Sequence, residues 1–145
     1  MDILLLDPDP NRRALISEAL SWLEGDYSLH HADSPAAAWT LPGGPDIRAA
    51  IVGPAWPDAL VDILAALRDR LPLAPLITYT RMSLANRENE TALLDAGADL
   101  VFDQRMTATR IAATLHPLLV SARVREFLAG IDAMAPASAP RAMVS

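Results

Sequence analysis

Residues 2–10 read Asp2-Ile3-Leu4-Leu5-Leu6-Asp7-Pro8-Asp9-Pro10. The short apolar run suits a strand of a parallel sheet covered on both faces. The period then changes. Across residues 11–24, Leu15, Ile16, Ala19, Leu20 and Leu23 recur at helical spacing, with Asp9 placed to cap a helix and Pro10 to open it. The opening is therefore a strand that feeds a helix through an acidic turn.

The same alternation continues along the chain. Further strands are predicted over residues 27–31, 49–52, 75–79 and 99–102. Helices are predicted over 34–41, 58–71, 84–96 and 107–129, the fourth stopped by Gly97 and the fifth interrupted by Pro117. Five such repeats predict an α/β fold: a doubly wound five-stranded parallel sheet in a flavodoxin-like three-layer sandwich. Residues 1–131 form this one domain. Residues 132–145, with Pro136 and Pro140 among alanines and serines, read as a flexible tail or linker.

Composition narrows the function. A formal net charge of −6 argues against direct nucleic-acid binding. No apolar run is long enough for a membrane span, and the N-terminus lacks the basic region of a signal peptide. The expectation is a soluble, cytoplasmic protein. There is no cysteine to serve as nucleophile, disulfide or thiolate ligand, and all twelve basic residues are arginine. No lysine is available to any chemistry that needs one.

Ligands of such sheets sit at the carboxyl ends of the strands, and the residues there carry a resemblance. Ile3 to Pro10 resembles the opening strand and acidic cluster of the bacterial response-regulator receiver family. Leu76-Ile77-Thr78-Tyr79-Thr80 is similar to its fourth strand, which ends in a hydroxyl residue. Asp95-Ala96-Gly97-Ala98-Asp99 matches the turn before its fifth strand, and Trp56-Pro57 resembles the pair that follows its phosphorylation site. The resemblance covers roughly residues 2 to 120.

The resemblance implies a five-group site, and most of it is missing. The family's phosphoryl acceptor is an aspartate, and the matching position is Gly53. Two adjacent acids hold Mg²⁺ in the family; here Asp7 is kept but its neighbour is Pro8. The lysine position is Gln104, followed by Arg105. Asp7 and Thr80 alone remain. Without a nucleophile, and with one surviving carboxylate for a hard cation, neither phosphorylation nor Mg²⁺ binding is expected. The usual aromatic switch position is Val101. The resemblance thus implies a degenerate, pseudo-receiver member: no enzyme and no cofactor, but a protein-interaction or dimerisation module of signal transduction.

Other readings attach to particular residues. Asp7 is a structural relic that accepts a hydrogen bond from Thr80 or pairs with an arginine, and Asp9 is a helix cap. Arg81 and Arg105 flank the vacated pocket, either as solvated charges or as groups that refill it by pairing with Asp7 or Asp9. The alternative function is sensing of a small ligand or anion in the vacated pocket, through Thr80, Arg81 and Arg105. An enzymatic flavodoxin-like reading comes third, and the missing phosphate loop counts against it, since residues 41–45 read as a connecting turn. His30 and His31 are strand neighbours that face opposite sides, and His116 is structural. The family's usual output face implies contacts at Arg87, Glu88, Arg105 and Arg110. On the fifth helix, Ile111, Leu115, Leu118 and Ala122 share the face that packs on the sheet. Val120, Val124, Phe127 and Ile131 form a second, roughly opposite stripe. That stripe predicts a partner helix, first of all from a second copy of the chain.

Overall fold

The computed structural model describes residues 1–40, 46–80, 87–103 and 105–134. Five parallel strands form one sheet: β1 (Asp2–Leu6), β2 (Ser28–Ala32), β3 (Ile47–Val52), β4 (Leu76–Thr80) and β5 (Leu100–Asp103), in the order β2-β1-β3-β4-β5. From β1 the chain goes first to one side for β2 and then to the other for β3. Strand order therefore reverses between β1 and β3, and a crevice opens at their carboxyl ends. Asp7 and Gly53 follow those two strands directly.

Strand alternation divides the core in two. Ile3, Leu5, Ala49, Ile51, Ile77 and Tyr79 pack beneath α1 (Pro10–Ser21) and α5 (Ala108–Met134). Leu4, Leu6, Ala50, Val52 and Leu76 pack on the other face with α3 (Leu60–Arg70) and α4 (Arg87–Ala96), and the short α2 (Pro35–Trp39) lies on the same side. Among the described residues no helix is long and apolar enough to cross a membrane.

The helix ends show where local chemistry overrides periodicity. Asp9 caps α1 as its spacing predicts, its Oδ1 accepting from the Asn11 amide at 2.8 Å. The helix stops at Ser21 rather than 24. The Ser21 hydroxyl donates to the Glu18 carbonyl at 2.6 Å, and the next amides tighten to three-residue bonds before Gly25 turns at φ +126°. Gly97, at φ +125°, ends α4, and a Cβ there would lie 3.1 Å from the Arg68 Cβ. Arg68 explains that turn. Its guanidinium donates to the carbonyls of Leu71, Pro72, Ala74 and Gly97 and pairs with Asp99, joining two loops at the amino-terminal pole of the sheet. Asp99 in turn accepts from the Leu76 amide at 2.8 Å.

α5 departs most from expectation. It runs 27 residues through Pro117 and Gly130 to Met134, so the tail expected from Asp132 begins inside the helix. Gly130 keeps a negative φ with nothing near its Cβ position, so it costs only about 1 kcal/mol of helix propensity and does not end the helix. Residues 41–45, read as a turn, and residues 135–145 lie outside the described residues.

Candidate functional site

Asp7 is fully buried where β1 ends, its amide donating to the Ala32 carbonyl at 3.0 Å. A carboxylate without water needs a cation and donors, and the first turn of α1 supplies both. Arg12 Nε donates to Oδ2 at 2.5 Å, Arg12 Nη2 to Oδ1 at 3.1 Å, and the Asp9 amide to Oδ1 at 2.9 Å. Arg12 Nη1 also pairs with Asp9 Oδ2 at 3.2 Å. One guanidinium thus spans both acids of the turn. Its hydrogen bond to Asp7 holds Arg12 protonated even more firmly than usual, against a smaller opposing effect of burial. The Asp9 side chain serves twice, capping α1 with one oxygen and meeting Arg12 with the other.

Gly53 lies directly against Asp7. Its amide donates to the Leu6 carbonyl at 2.9 Å, which sets the end of β3 against the end of β1. A Cβ at Gly53 would stand 2.2 Å from Asp7 Oδ2 and 2.4 Å from its Cγ. The Asp7 side chain occupies the volume that any residue other than glycine would need here. The residues present do not fit Mg²⁺. Gly53 and Pro8 offer no side-chain oxygen, and both Asp7 oxygens already face Arg12. Among the described residues no group of three or more His, Cys, Asp or Glu is placed to hold a metal.

His31 braces the same turn. Its Nε2 lies 2.6 Å from the Asp7 carbonyl, which can only accept, so this nitrogen carries the proton. Arg13 Nη1 then donates to Nδ1 at 3.3 Å. His30 points to the other face and meets Asp2 Oδ1 at 2.9 Å.

Of the two arginines read as solvated charges or pocket fillers, the described one, Arg105, stays at the surface. Arg105 turns back on Asp103, donating to it from Nε at 3.3 Å and from Nη2 at 3.2 Å, with three-quarters of its side chain exposed. Its nearest carboxylate wins because the pair closes within one turn, and these hydrogen bonds hold the Asp103 carboxyl below its usual range. Arg81 and Gln104 lie outside the described residues, as do the side chains of Thr80, Arg87 and Glu88. Arg105 and Arg110 line a shallow groove of about 570 Å³ along β5 and the start of α5.

Three residues of the site escape the sequence reading. Arg12 looks like an ordinary helix-surface cation; its only signal is the Asp9-to-Arg12 spacing of three in a first helical turn. Thr78 is buried and donates to the Val52 carbonyl at 3.0 Å, tying β4 to the end of β3. Tyr79 is buried edge-on against Phe102, with ring centroids 5.4 Å apart, and its hydroxyl has no hydrogen-bond partner among the described residues. Burial, and then the Asp7 charge, push its phenol upward, while Arg12 pulls weakly the other way.

A raised tyrosine makes a signed prediction. The unfolded chain loses the phenolic proton near pH ~10, while the folded chain keeps it. Stability contributed by neutral Tyr79 is complete below that pH and is lost as pH rises above it. Tyr79→Phe is therefore expected to lessen the alkaline loss in a denaturant series. At neutral pH it should be neutral or stabilising by up to about 1 kcal/mol, since the hydroxyl it removes is buried and unpaired.

The sheet order and the acidic crevice between β1 and β3 define a flavodoxin-like receiver fold. Solved structures agree. The chain is similar to a response regulator from Thermotoga maritima, with a TM-score of 0.72 and 11% identity over 82% of this chain and 97% of that one. A response regulator receiver protein from Pseudoalteromonas atlantica gives 0.70 and 18%, covering 84% of this chain and 99% of the other. The signal receiver domain of a histidine kinase from Syntrophus aciditrophicus gives 0.66 and 19%, covering 83% and 90%. At these identities the likeness establishes the fold. No protein-family model and no curated protein matches the chain.

Proposed function

We propose that this chain is a pseudo-receiver of bacterial signal transduction: a cytoplasmic receiver-fold domain that works by binding protein and not by accepting phosphate. The observation that carries this reading is the replacement at the crevice. An arginine from α1 stands as counter-ion to Asp7, and Asp7 itself fills the space beside Gly53. The pocket is set by sequence in one arrangement, which suits a domain whose conformation does not wait for a signal at that site. Sensing of an anion in the same crevice has less support, because Arg105 is engaged with Asp103 and Asp7 already has its cation.

The partner surface is assigned to the outer face of α5. Val120, Val124, Phe127, Leu128 and Ile131 are exposed, Phe127 by 68%, while Ile111, Leu115, Leu119 and Ala122 are buried on the opposite side. The 4-3-4 spacing of Val120, Val124, Phe127 and Ile131 is that of a coiled-coil seam. A second copy of the helix offers the complementary seam, so a homodimer is the reading this pattern supports first. The full chain is then expected to scatter light as a dimer, and Phe127→Glu to halve that mass with circular dichroism unchanged. A wild-type monomer at high concentration, or a variant that unfolds, would show that the seam belongs to the domain's own packing.

A further inference from the structure

At the pole of the sheet opposite Asp7, α5 overhangs the loop between α3 and β4. The small side chains of Ala122 and Ala129 leave a groove of about 290 Å³ there, lined also by Arg48, Arg70, Leu73 and Arg125. Its charge is out of keeping with the chain. Among the described residues that line it, three arginines face one acid, Asp46, in a protein of net charge −6. Asp46 pairs with Arg48 at 2.6 Å. The side chains of Arg70 and Arg125 have no hydrogen bond or ion pair among the described residues. Arg70 is nonetheless held in place, its guanidinium carbon 4.3 Å above the Trp39 ring, and such stacking leaves the in-plane N–H groups open to an oxyanion. The floor is fixed as well, because Arg68 spends its donors on the carbonyls of Leu71, Pro72 and Ala74. Beside the cations, Leu73 is 73% exposed.

We propose that this groove binds a small amphiphilic organic anion, its carboxylate or phosphate head between Arg70 and Arg125 and its apolar body along Leu73 and Ala129. The two arginines come from α3 and α5, so a bound anion bridges the projecting end of α5 to the body of the domain. The site is independent of the crevice at Asp7 and of the reading given to it.

Titration of the full chain with hexanoate, phenyl phosphate and inorganic phosphate, followed by amide chemical shifts, tests this. Saturable binding of hexanoate or phenyl phosphate is expected, with shifts centred on residues 70–74 and 122–129. The tighter of the two identifies the head group, and inorganic phosphate should bind more weakly than phenyl phosphate. Arg125→Ala, at an exposed position, should weaken binding about tenfold, the loss of one charge-assisted contact; Arg70→Ala should do the same. Absence of saturation by about 10 mM, binding indifferent to Arg125→Ala, or inorganic phosphate binding as well as phenyl phosphate would each overturn the proposal.

Discussion

Gly53→Asp, the substitution that restores the receiver family's acceptor residue, is expected to destabilise the domain and to give no working acceptor. The obstacle is geometric before it is chemical. The new Cβ would fall 2.2 Å from Asp7 Oδ2, well inside van der Waals contact, and the carbonyl of Leu6 fixes the Gly53 backbone. Either Asp7 leaves Arg12 or the end of β3 moves. Overpacking of this kind costs about 1–3 kcal/mol, and a second carboxylate beside a fully buried one raises the cost to about 3–5 kcal/mol. Urea denaturation should show a midpoint lowered by about 1 M or more. Because the clash begins at Cβ, Gly53→Ala should already lose about 1–3 kcal/mol. An alanine variant as stable as wild type would mean that Asp7 yields freely and that the space beside Gly53 is available.

Arg12→Ala removes the cation and leaves its anion in place. Asp7 is fully buried, and its remaining donor from the first turn is the Asp9 amide. Stranding one partner of a buried pair costs about 3–5 kcal/mol, a large part of the stability of an ordinary domain. Arg12→Lys keeps the charge but not the fork that reaches both Asp7 oxygens and Asp9, so an intermediate loss is expected. Asp7→Asn combined with Arg12→Ala should recover part of the deficit, because an amide tolerates burial better than an unpaired carboxylate. Equal stability of all these variants would reduce the pair to an incidental surface contact.

Both substitutions act on a part of the molecule that the sequence shows unevenly. The strand-turn-helix opening is legible because Asp7, Pro8, Asp9 and Pro10 each act locally, as terminator, cap or first helical residue. Gly97 is legible for the same reason. The identity of Gly53 can be read by counting from Trp56-Pro57, but not the cause of its fixity, since the Asp7 side chain that fills its space lies 46 positions earlier and meets it only through sheet pairing. Arg12 is hidden differently. By period and resemblance, cations near the pocket are sought beside Thr80 and the lysine position at the ends of β4 and β5, which leaves Arg81 and Arg105 as solvated charges or pocket fillers and passes over the first turn of α1. The first turn of α1 is nearer, and an arginine there reaches Asp7 and Asp9 together. The outer stripe of α5 is legible from period alone. Its full extent is not, because the helix predicted over 107–129 continues through Gly130 to Met134.

Intact mass measurement after incubation with acetyl phosphate and Mg²⁺ tests the chemistry of the crevice most directly. Asp7 is buried against Arg12, and Gly53 has no side chain to form an acyl phosphate. The mass is therefore expected to stay unchanged over hours, at Mg²⁺ concentrations that serve an active receiver. A stoichiometric, hydroxylamine-labile phosphoryl adduct on Asp7 or any other aspartate would contradict it.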